Sequence, residues 1–157
     1  NLPPTTQPVA GAAFGPICTK SQLSLSQTSS TPKGGDLIAG YTVLNTSKSR
    51  CSLVGYPTLL IIGRLGPLPS HVTDGGVAGQ KAFPANQVTL APKIGQATFL
   101  MSWSPTPSAA APSCADGLEV DVTLPDVTGG ITASSIVTAC GGVVNVSPML
   151  PNVVAGS

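Results

Sequence analysis

The stretch "GLEVDVTLP", residues 117–125, decides the fold class because its apolar and polar side chains alternate. The apolar positions are expected to face a core: Leu118, Val120, Val122 and Leu124. The positions between them are polar and are expected to face solvent: Glu119, Asp121 and Thr123. A period of two is that of a β-strand with one buried face. The stretch therefore predicts a half-buried strand.

Further segments carry the same β pattern or a short apolar run bounded by turn residues. They are residues 22–28, 37–45, 51–54, 58–62, 87–92, 96–103, 129–140 and 142–148. The unbroken apolar run at 58–62 predicts a strand that is covered on both faces. No segment combines a 3.6-residue apolar period with capping residues. We therefore predict an all-β, immunoglobulin-like β-sandwich of about seven or eight antiparallel strands with little or no helix.

The length of 157 residues suits one domain. Residues 1–17 are rich in Pro, Thr and Ala and are interpreted as a lead-in or tether, residues 18–148 as the sandwich, and residues 149–157 as a tail. Residues 29–36 form a predicted turn cluster. Residues 63–86 form a long excursion, either a plain loop or one with a short β-ribbon. The opening stretch, "NLPPTTQPVAGAAFGP", is interpreted as a mature or truncated start, with any export signal already removed.

Charged residues make up only 8% of the chain and the net charge is +1, whereas about a quarter of residues are charged in typical soluble domains. A weak electrostatic field argues against nucleic acid and anionic membrane as partners. No apolar run approaches the length of a transmembrane segment. Any membrane attachment would need an N-terminal lipid anchor that this chain does not carry.

The chain has four cysteines, and an even count in a chain poor in charge indicates disulfides and an oxidising compartment. The absence of Cys-x-x-Cys argues against a thioredoxin motif or a zinc knuckle. Three pairings exist. We favour Cys18–Cys51 with Cys114–Cys140 because each bridge then closes a local region, stabilising the fold by about 3–4 kcal/mol.

Candidate catalytic residues are few. His71 is the only histidine, so a Ser-His-Asp triad or Cys-His dyad would have to use it, and a transition-metal site would lack ligands. Glu119 and Asp121 have Cα atoms about 6.6–6.8 Å apart if they lie on one strand, which approaches the separation in an inverting glycosidase. We favour a solvated outer face for them, because catalytic pairs usually come from different strands. No cofactor is expected.

Few aromatic residues are available for ligand stacking. Trp103 ends a predicted strand, and a place in the sandwich core is favoured over a ligand platform. A candidate ligand or partner surface would combine Trp103 with Tyr56, Arg64 and His71 around the 63–86 excursion.

Three groups of residues resemble a known family. The first is Cys51, Leu53, Gly55, Tyr56 and Pro57. The second is Leu90, Ala91 and Pro92, followed by Ala97 and Trp103. The third is Cys114, Leu118, Val120, Pro125, Cys140, Gly142, Val144, Val146, Ser147 and Pro148. The pattern resembles an actinobacterial domain-of-unknown-function family of exported proteins and lipoproteins with a Cys-x-Leu-x-Gly-Tyr-Pro signature.

The resemblance covers residues 17–148, with Lys93-Ile94 departing from the family's usual glycine after Pro92. It implies a secreted or surface-anchored β-sandwich with two disulfides and no enzymatic activity. The function that we expect is a non-catalytic domain of the cell envelope or extracellular space that acts on a protein or a wall polymer. A small-ligand or glycan-binding module that uses the 63–86 loop is the alternative. A hydrolase using Glu119 and Asp121 is a second, weaker one.

Overall fold

The computed structural model describes residues 16–75, 77 and 87–151. The prediction of an all-β fold is confirmed, with one turn of 3₁₀ helix at Lys20–Gln22. The described strands are β1 (Leu23–Lys33), β2 (Asp36–Asn45), β3 (Cys51–Leu53), β4 (Thr58–Gly63), β5 (Gly66–Pro67), β6 (His71–Asp74), β7 (Val88–Leu90), β8 (Gln96–Trp103), β9 (Cys114–Thr123), β10 (Ile131–Cys140), β11 (Val143–Val146) and β12 (Leu150–Pro151).

The strands form two main sheets and a small ribbon. The six-stranded sheet has the order β1-β2-β8-β11-β6, and β12 pairs with β8. The four-stranded sheet has the order β10-β9-β4-β5, and β3 pairs with β7. The strands outnumber the seven or eight predicted because the excursion and the C-terminal end add strands of two to four residues. One pair, β6 with β11, is parallel instead of antiparallel.

The core lies between the inner faces of the two main sheets. Tyr41 and Phe99, which are cross-strand partners on β2 and β8, stack with their ring centroids 5.1 Å apart. Tyr41 also shares a hydrogen bond of 2.6 Å with Ser135 of β10, which ties one sheet to the other. Alternate aliphatic residues complete the core, among them Val43, Leu59, Ile61, Met101, Val120, Val122 and Val137. Each such side chain contributes about 1.5–3 kcal/mol on burial.

The hairpin between β1 and β2 is tighter than the predicted turn cluster at 29–36. Strand β1 continues to Lys33, and the turn consists of Gly34 and Gly35 alone, with φ angles of 60° and 90°. A two-residue hairpin requires positive φ at both central positions, and paired glycines adopt it without strain. The polar residues 29–33 are therefore a solvent-exposed strand, which their composition did not distinguish from a loop.

Two predicted burials are wrong. Strand β4 is covered on one face only: Leu59 and Ile61 are buried, but Leu60 is 39% exposed on the outer side of its sheet. Leu118 is 48% exposed although the alternation placed it inside. The pairing of β9 with β10 shifts register near Leu118, so both Gly117 and Val120 are buried and Leu118 turns outward. A bulge inverts the side-chain order in this way.

Both predicted disulfides are present, Cys18–Cys51 and Cys114–Cys140. The first joins the segment before β1 to β3, and the second joins the ends of β9 and β10. Strand pairing begins at Ile17, which bridges Ser52, and it continues past residue 148 to β12. The predicted tether and tail otherwise fall on residues 1–15 and 152–157, outside the described residues. Within the described part of the chain, no helix is long and apolar enough to cross a membrane.

Candidate functional site

The Gly-Tyr-Pro corner between β3 and β4 is a structural bend. Gly55 has a φ of 106°, a conformation that favours glycine, and an added Cβ there would lie 3.5 Å from the side chain of Pro125. The carbonyl of Gly55 accepts a hydrogen bond of 2.8 Å from the backbone of Met149. Tyr56 is half-buried against the core. The corner therefore holds the C-terminal end of the described chain against the sandwich.

Asn45, at the end of β2, organises the loop before Cys51. Its Nδ2 donates to the carbonyl oxygens of Ser49 at 2.8 Å and Leu90 at 3.1 Å. Its Oδ1 accepts from the backbone N–H of Ser47 at 2.9 Å and from the Ser47 hydroxyl at 2.7 Å. The side chain is fully buried. This loop is a hydrogen-bonded support for the strands on both sides of it.

The four residues of the predicted ligand surface are not brought together. Trp103 is only 2% exposed and lies in the core, as favoured from the sequence. Tyr56 precedes β4 and Arg64 follows it, so that a strand of about 20 Å separates them, at about 3.3 Å per residue. His71 begins β6, at an edge of the other main sheet. Residues 76 and 78–86 of the excursion lie outside the described residues.

The outer face of the four-stranded sheet carries aliphatic and acidic side chains side by side. Glu119 lies between Ile62 of β4 and Ser134 of β10, and Asp121 lies between Leu60 and Thr132. Next to them, Leu118 and Ile136 are exposed by 48% and 69%. We call this surface the acidic-apolar face and define it by Leu60, Leu118, Glu119, Asp121 and Ile136.

The acidic-apolar face also has a distinct charge. Strands β4, β5, β9 and β10 contain no lysine or arginine, and β9 holds three of the six carboxylates of the chain: Asp116, Glu119 and Asp121. Because the whole chain has seven basic and six acidic residues, the rest of it carries 7 − 3 = +4. The formal net charge of +1 therefore conceals an acidic outer face on this sheet, with Arg64 in the turn between its strands β4 and β5.

A family model for a domain of unknown function, DUF4232, matches residues 18–150. The chain belongs to the DUF4232 family. The match takes in all four cysteines, the Gly-Tyr-Pro corner and both main sheets. No curated protein and no solved structure matches the chain.

The carboxylate pair of this DUF4232 domain lies on an open surface. Glu119 is exposed, and its neighbours across the sheet are Ile62 and Ser134 rather than a second acid on a facing strand. A glycosidase pair flanks the scissile bond of its substrate, with a carboxyl group on each side of it. The outer side of a sheet supplies no second wall for such a site. The position of Glu119 is that of a side chain on a solvated outer face.

A groove of about 570 Å³ lies beside the Cys114–Cys140 bridge of this DUF4232 domain. Its lining is mostly Pro, Ala and Gly from residues 68–69, 110–113 and 141–142, and Asp116 is the one charged residue among the described residues that line it. His71 lies on the six-stranded sheet, whereas Glu119 and Asp121 lie on the four-stranded sheet. Among the described residues there is no group of three His, Cys, Asp or Glu side chains that could hold a metal ion.

Sequence reasoning missed the exposed half of the acidic-apolar face. The sequence pattern predicts that Glu119 and Asp121 face outward. It also predicts Leu118 in the core and Leu60 in a strand that is buried on both faces. One signal was available: Leu60 and Ile62 fall on the opposite parity from Leu59 and Ile61, so one of the two sets had to face away from a single core.

Proposed function

We propose that this DUF4232 domain is a non-catalytic, exported domain of the cell envelope or extracellular space that acts by binding a protein partner. The observation that carries the proposal is the acidic-apolar face, where exposed aliphatic side chains surround two carboxylates. Export is supported by the two disulfides, which form and persist in oxidising compartments.

The aliphatic members of the face form a group instead of being scattered. Leu60 is on β4, Leu118 is on β9 and Ile136 is on β10, so three neighbouring strands contribute. Single exposed aliphatic residues are normal on soluble proteins, whereas a contiguous apolar patch with a polar rim marks an interaction surface. This supports a protein partner over a small ligand, because the face is the open outer side of a sheet.

The charge of the acidic-apolar face indicates what kind of protein surface would bind to it. Glu119 and Asp121 have no lysine or arginine on the neighbouring strands to pair with. A complementary surface would place Lys or Arg opposite these carboxylates and aliphatic side chains opposite Leu118 and Ile136. The proposed partner is therefore a protein surface that is basic and partly apolar.

Finer points belong to the proposal as well. The non-catalytic role is supported by the placement of His71 on a different sheet from Glu119 and Asp121 and by the open setting of Glu119. The actinobacterial origin, the surface anchoring and the significance of the Cys-x-Leu-x-Gly-Tyr-Pro signature come from the resemblance of the sequence.

A paired-variant capture experiment tests the proposed interface. The purified domain, Ile136→Lys and the control Val143→Lys are each immobilised and exposed to envelope extract from the organism that produces the protein. Val143 is a suitable control because it is 44% exposed but lies on the six-stranded sheet. A protein retained by the wild type and by Val143→Lys but lost from Ile136→Lys is then purified, and its affinity is measured directly.

Ile136→Lys is expected to weaken that affinity by about tenfold or more, because a new cation would meet a basic partner and would be desolvated in the interface. Glu119→Lys should act in the same direction, and binding should weaken from low to high salt. The proposal is wrong if the captured proteins are the same for Ile136→Lys and Val143→Lys.

A further inference from the structure

The outer face of the six-stranded sheet is different in chemistry from the acidic-apolar face. Strands β1, β2 and β8 present three cross-strand rows there: Ser24–Leu44–Gln96, Ser26–Thr42–Thr98 and Ser29–Gly40–Leu100. Five of these nine residues carry hydroxyls. We call the surface formed by the three rows the hydroxyl face. The rows and Thr28 line a depression of about 460 Å³.

A β-bulge and a glycine shape the depression. The β1–β2 pairing shifts register between Gln27 and Ser29, leaving Thr28 as the extra residue. The Thr28 hydroxyl then lies 3.3 Å from the carbonyl oxygen of Gly40, to which it donates, and 3.0 Å from the Thr42 hydroxyl. A Cβ on Gly40 would collide with the Oγ of Ser29. Bulges and strand glycines often mark places where a ligand approaches the sheet.

The face offers polar groups that the protein leaves uncommitted. Among the described residues, the hydroxyls of Ser24, Ser26 and Thr98 have no hydrogen-bond partner. No charged side chain from the described part of the chain lines the depression. The half-buried side chains of Leu44 and Leu100 lie at two opposite sides of the hydroxyl row. The surface therefore combines groups that donate and accept hydrogen bonds with small apolar platforms and no fixed charge.

We propose that the hydroxyl face binds a neutral glycan chain. A saccharide presents hydroxyls that both donate and accept, together with apolar C–H patches, and these complement the hydroxyl row and the leucines respectively. An anionic or cationic ligand would lose hydration here without finding an opposite charge. The centre of a protein–protein interface is usually more apolar than this face is.

The dimensions agree with a short stretch of polymer. The outer strands β1 and β8 lie about 10 Å apart, since neighbouring strands are about 4.7–4.9 Å apart. The three rows extend about 13 Å along the strands, at about 6.6–6.8 Å for each two-residue step. That area accommodates a segment the size of a disaccharide. Because the face is open, both ends of a longer glycan chain can extend beyond it.

The glycan site is independent of the proposed protein interface. The hydroxyl face and the acidic-apolar face belong to different sheets and lie on opposite sides of the sandwich. The two proposals can therefore be tested independently, because a substitution on one face leaves the other face unchanged. A domain with both sites would hold a polymer on one side and a protein on the other.

Calorimetric titration with neutral oligosaccharides tests the inference. The probes are chitohexaose, cellohexaose and maltohexaose, with a galacturonic acid hexamer as the anionic comparison. The variant is Ser26→Ala/Thr98→Val, which removes two uncommitted hydroxyls from the central row. Its matched control is Ser134→Ala/Thr132→Val, which removes two hydroxyls from the outer face of the other sheet.

At least one neutral probe should bind saturably with a Kd of about 1 mM or tighter. Loss of two hydrogen bonds in Ser26→Ala/Thr98→Val should weaken that binding by about tenfold. The control should bind as the wild type does. Amide chemical-shift mapping on the wild type, which does not depend on any variant, should place the largest changes on β1, β2 and β8. The inference is overturned if no neutral probe binds, if the galacturonic acid hexamer binds most tightly, or if Ser26→Ala/Thr98→Val binds as the wild type does.

Discussion

Two buried polar side chains, Tyr41 and Asn45, have roles that a hydrophobicity pattern does not describe. Tyr41 sits in a run of apolar strand residues, yet its hydroxyl reaches across the core to Ser135. Asn45 ends the same strand and bonds to both neighbouring segments. Buried polar groups are costly unless they are paired, so these two contacts help to specify how the sheets and the loop fit together.

The stability of the domain should fall at high pH because of Tyr41. Burial raises the pKa of Tyr41 from 10.0 to about 12, and the hydrogen bond with Ser135 lowers it by less. The folded state therefore keeps the proton after the unfolded chain has lost it. Stability from this group is complete below pH 10.0 and is lost as the pH rises toward about 12.

Denaturant unfolding of the wild type and of Tyr41→Phe at pH 8, 10 and 11.5 measures this effect. Tyr41→Phe should be less stable at pH 8, by about 1–2 kcal/mol, because the buried Ser135 hydroxyl loses its partner. It should nevertheless lose less stability than the wild type above pH 10.0. Tyr56→Phe is the control. Equal alkaline losses in the wild type and Tyr41→Phe would contradict the assignment to Tyr41.

Replacing Asn45 should destabilise the fold more than its size suggests. Asn45→Ala would leave the carbonyl groups of Ser49 and Leu90 without this donor and would free the loop at Ser47. We expect a loss of about 2–4 kcal/mol in the free energy of unfolding, since several buried polar groups lose their partner together. Asn145→Ala, on the half-buried outer side of β11, should cost under about 1 kcal/mol. Similar losses in both variants would contradict the role given to Asn45.

At the scale of elements, the two disulfides act on different parts of the sandwich. Cys18–Cys51 spans 33 residues and ties the start of the described chain to β3, whereas Cys114–Cys140 spans 26 residues and joins directly paired positions of β9 and β10. The described cysteines are all bridged. The first bridge therefore holds a terminal segment in place, and the second closes a hairpin whose strands already pair.

Removal of either bridge should lower the free energy of unfolding by about 3–4 kcal/mol, because the unfolded chain regains the entropy of an open loop. Cys18→Ala/Cys51→Ala and Cys114→Ala/Cys140→Ala, compared by denaturant unfolding, measure this. The longer loop should give a slightly larger loss. Thiol titration of the denatured, unreduced wild type serves as the control and should find no free thiol. A loss under about 1 kcal/mol in either pair would contradict this account.

Strand register also belongs to the scale of elements, and it explains why the exposure of some side chains was predicted wrongly. The alternation in "GLEVDVTLP" predicted the buried set Val120, Val122 and Leu124, which is confirmed, but not the exposure of Leu118. The register shift that turns Leu118 outward depends on how β9 pairs with β10, the next strand along the chain. The bulge at Thr28 has the same origin in the β1–β2 pairing. The alternation of apolar and polar residues within one strand does not show whether its pairing with the next strand contains an extra residue.

At the scale of the whole molecule, charge is distributed unevenly. The backbone N–H of Lys93 donates to Ser47 at 2.9 Å, so that the exposed side chains of Lys48, Arg50 and Lys93 share one end of the sandwich. The carboxylates of β9 occupy the outer face of the four-stranded sheet. A nearly neutral chain therefore presents separate basic and acidic surfaces, which is the basis for expecting a salt-sensitive, basic partner on the acidic-apolar face.

The sequence by itself determined the all-β fold class and most of the strands that form the core, because these depend on local periodicity. Among three possible disulfide pairings it favoured the one observed, and it resembled a domain-of-unknown-function family, to which the chain belongs. It also placed Trp103 in the core. Only the tertiary structure decided which aliphatic residues are exposed, that Tyr56, Arg64 and His71 do not meet, and that serines and threonines of β1, β2 and β8 form one surface. The physical reason is that a sheet joins residues distant in sequence, and its register, set by bulges and two-residue turns, determines which side chains share a face.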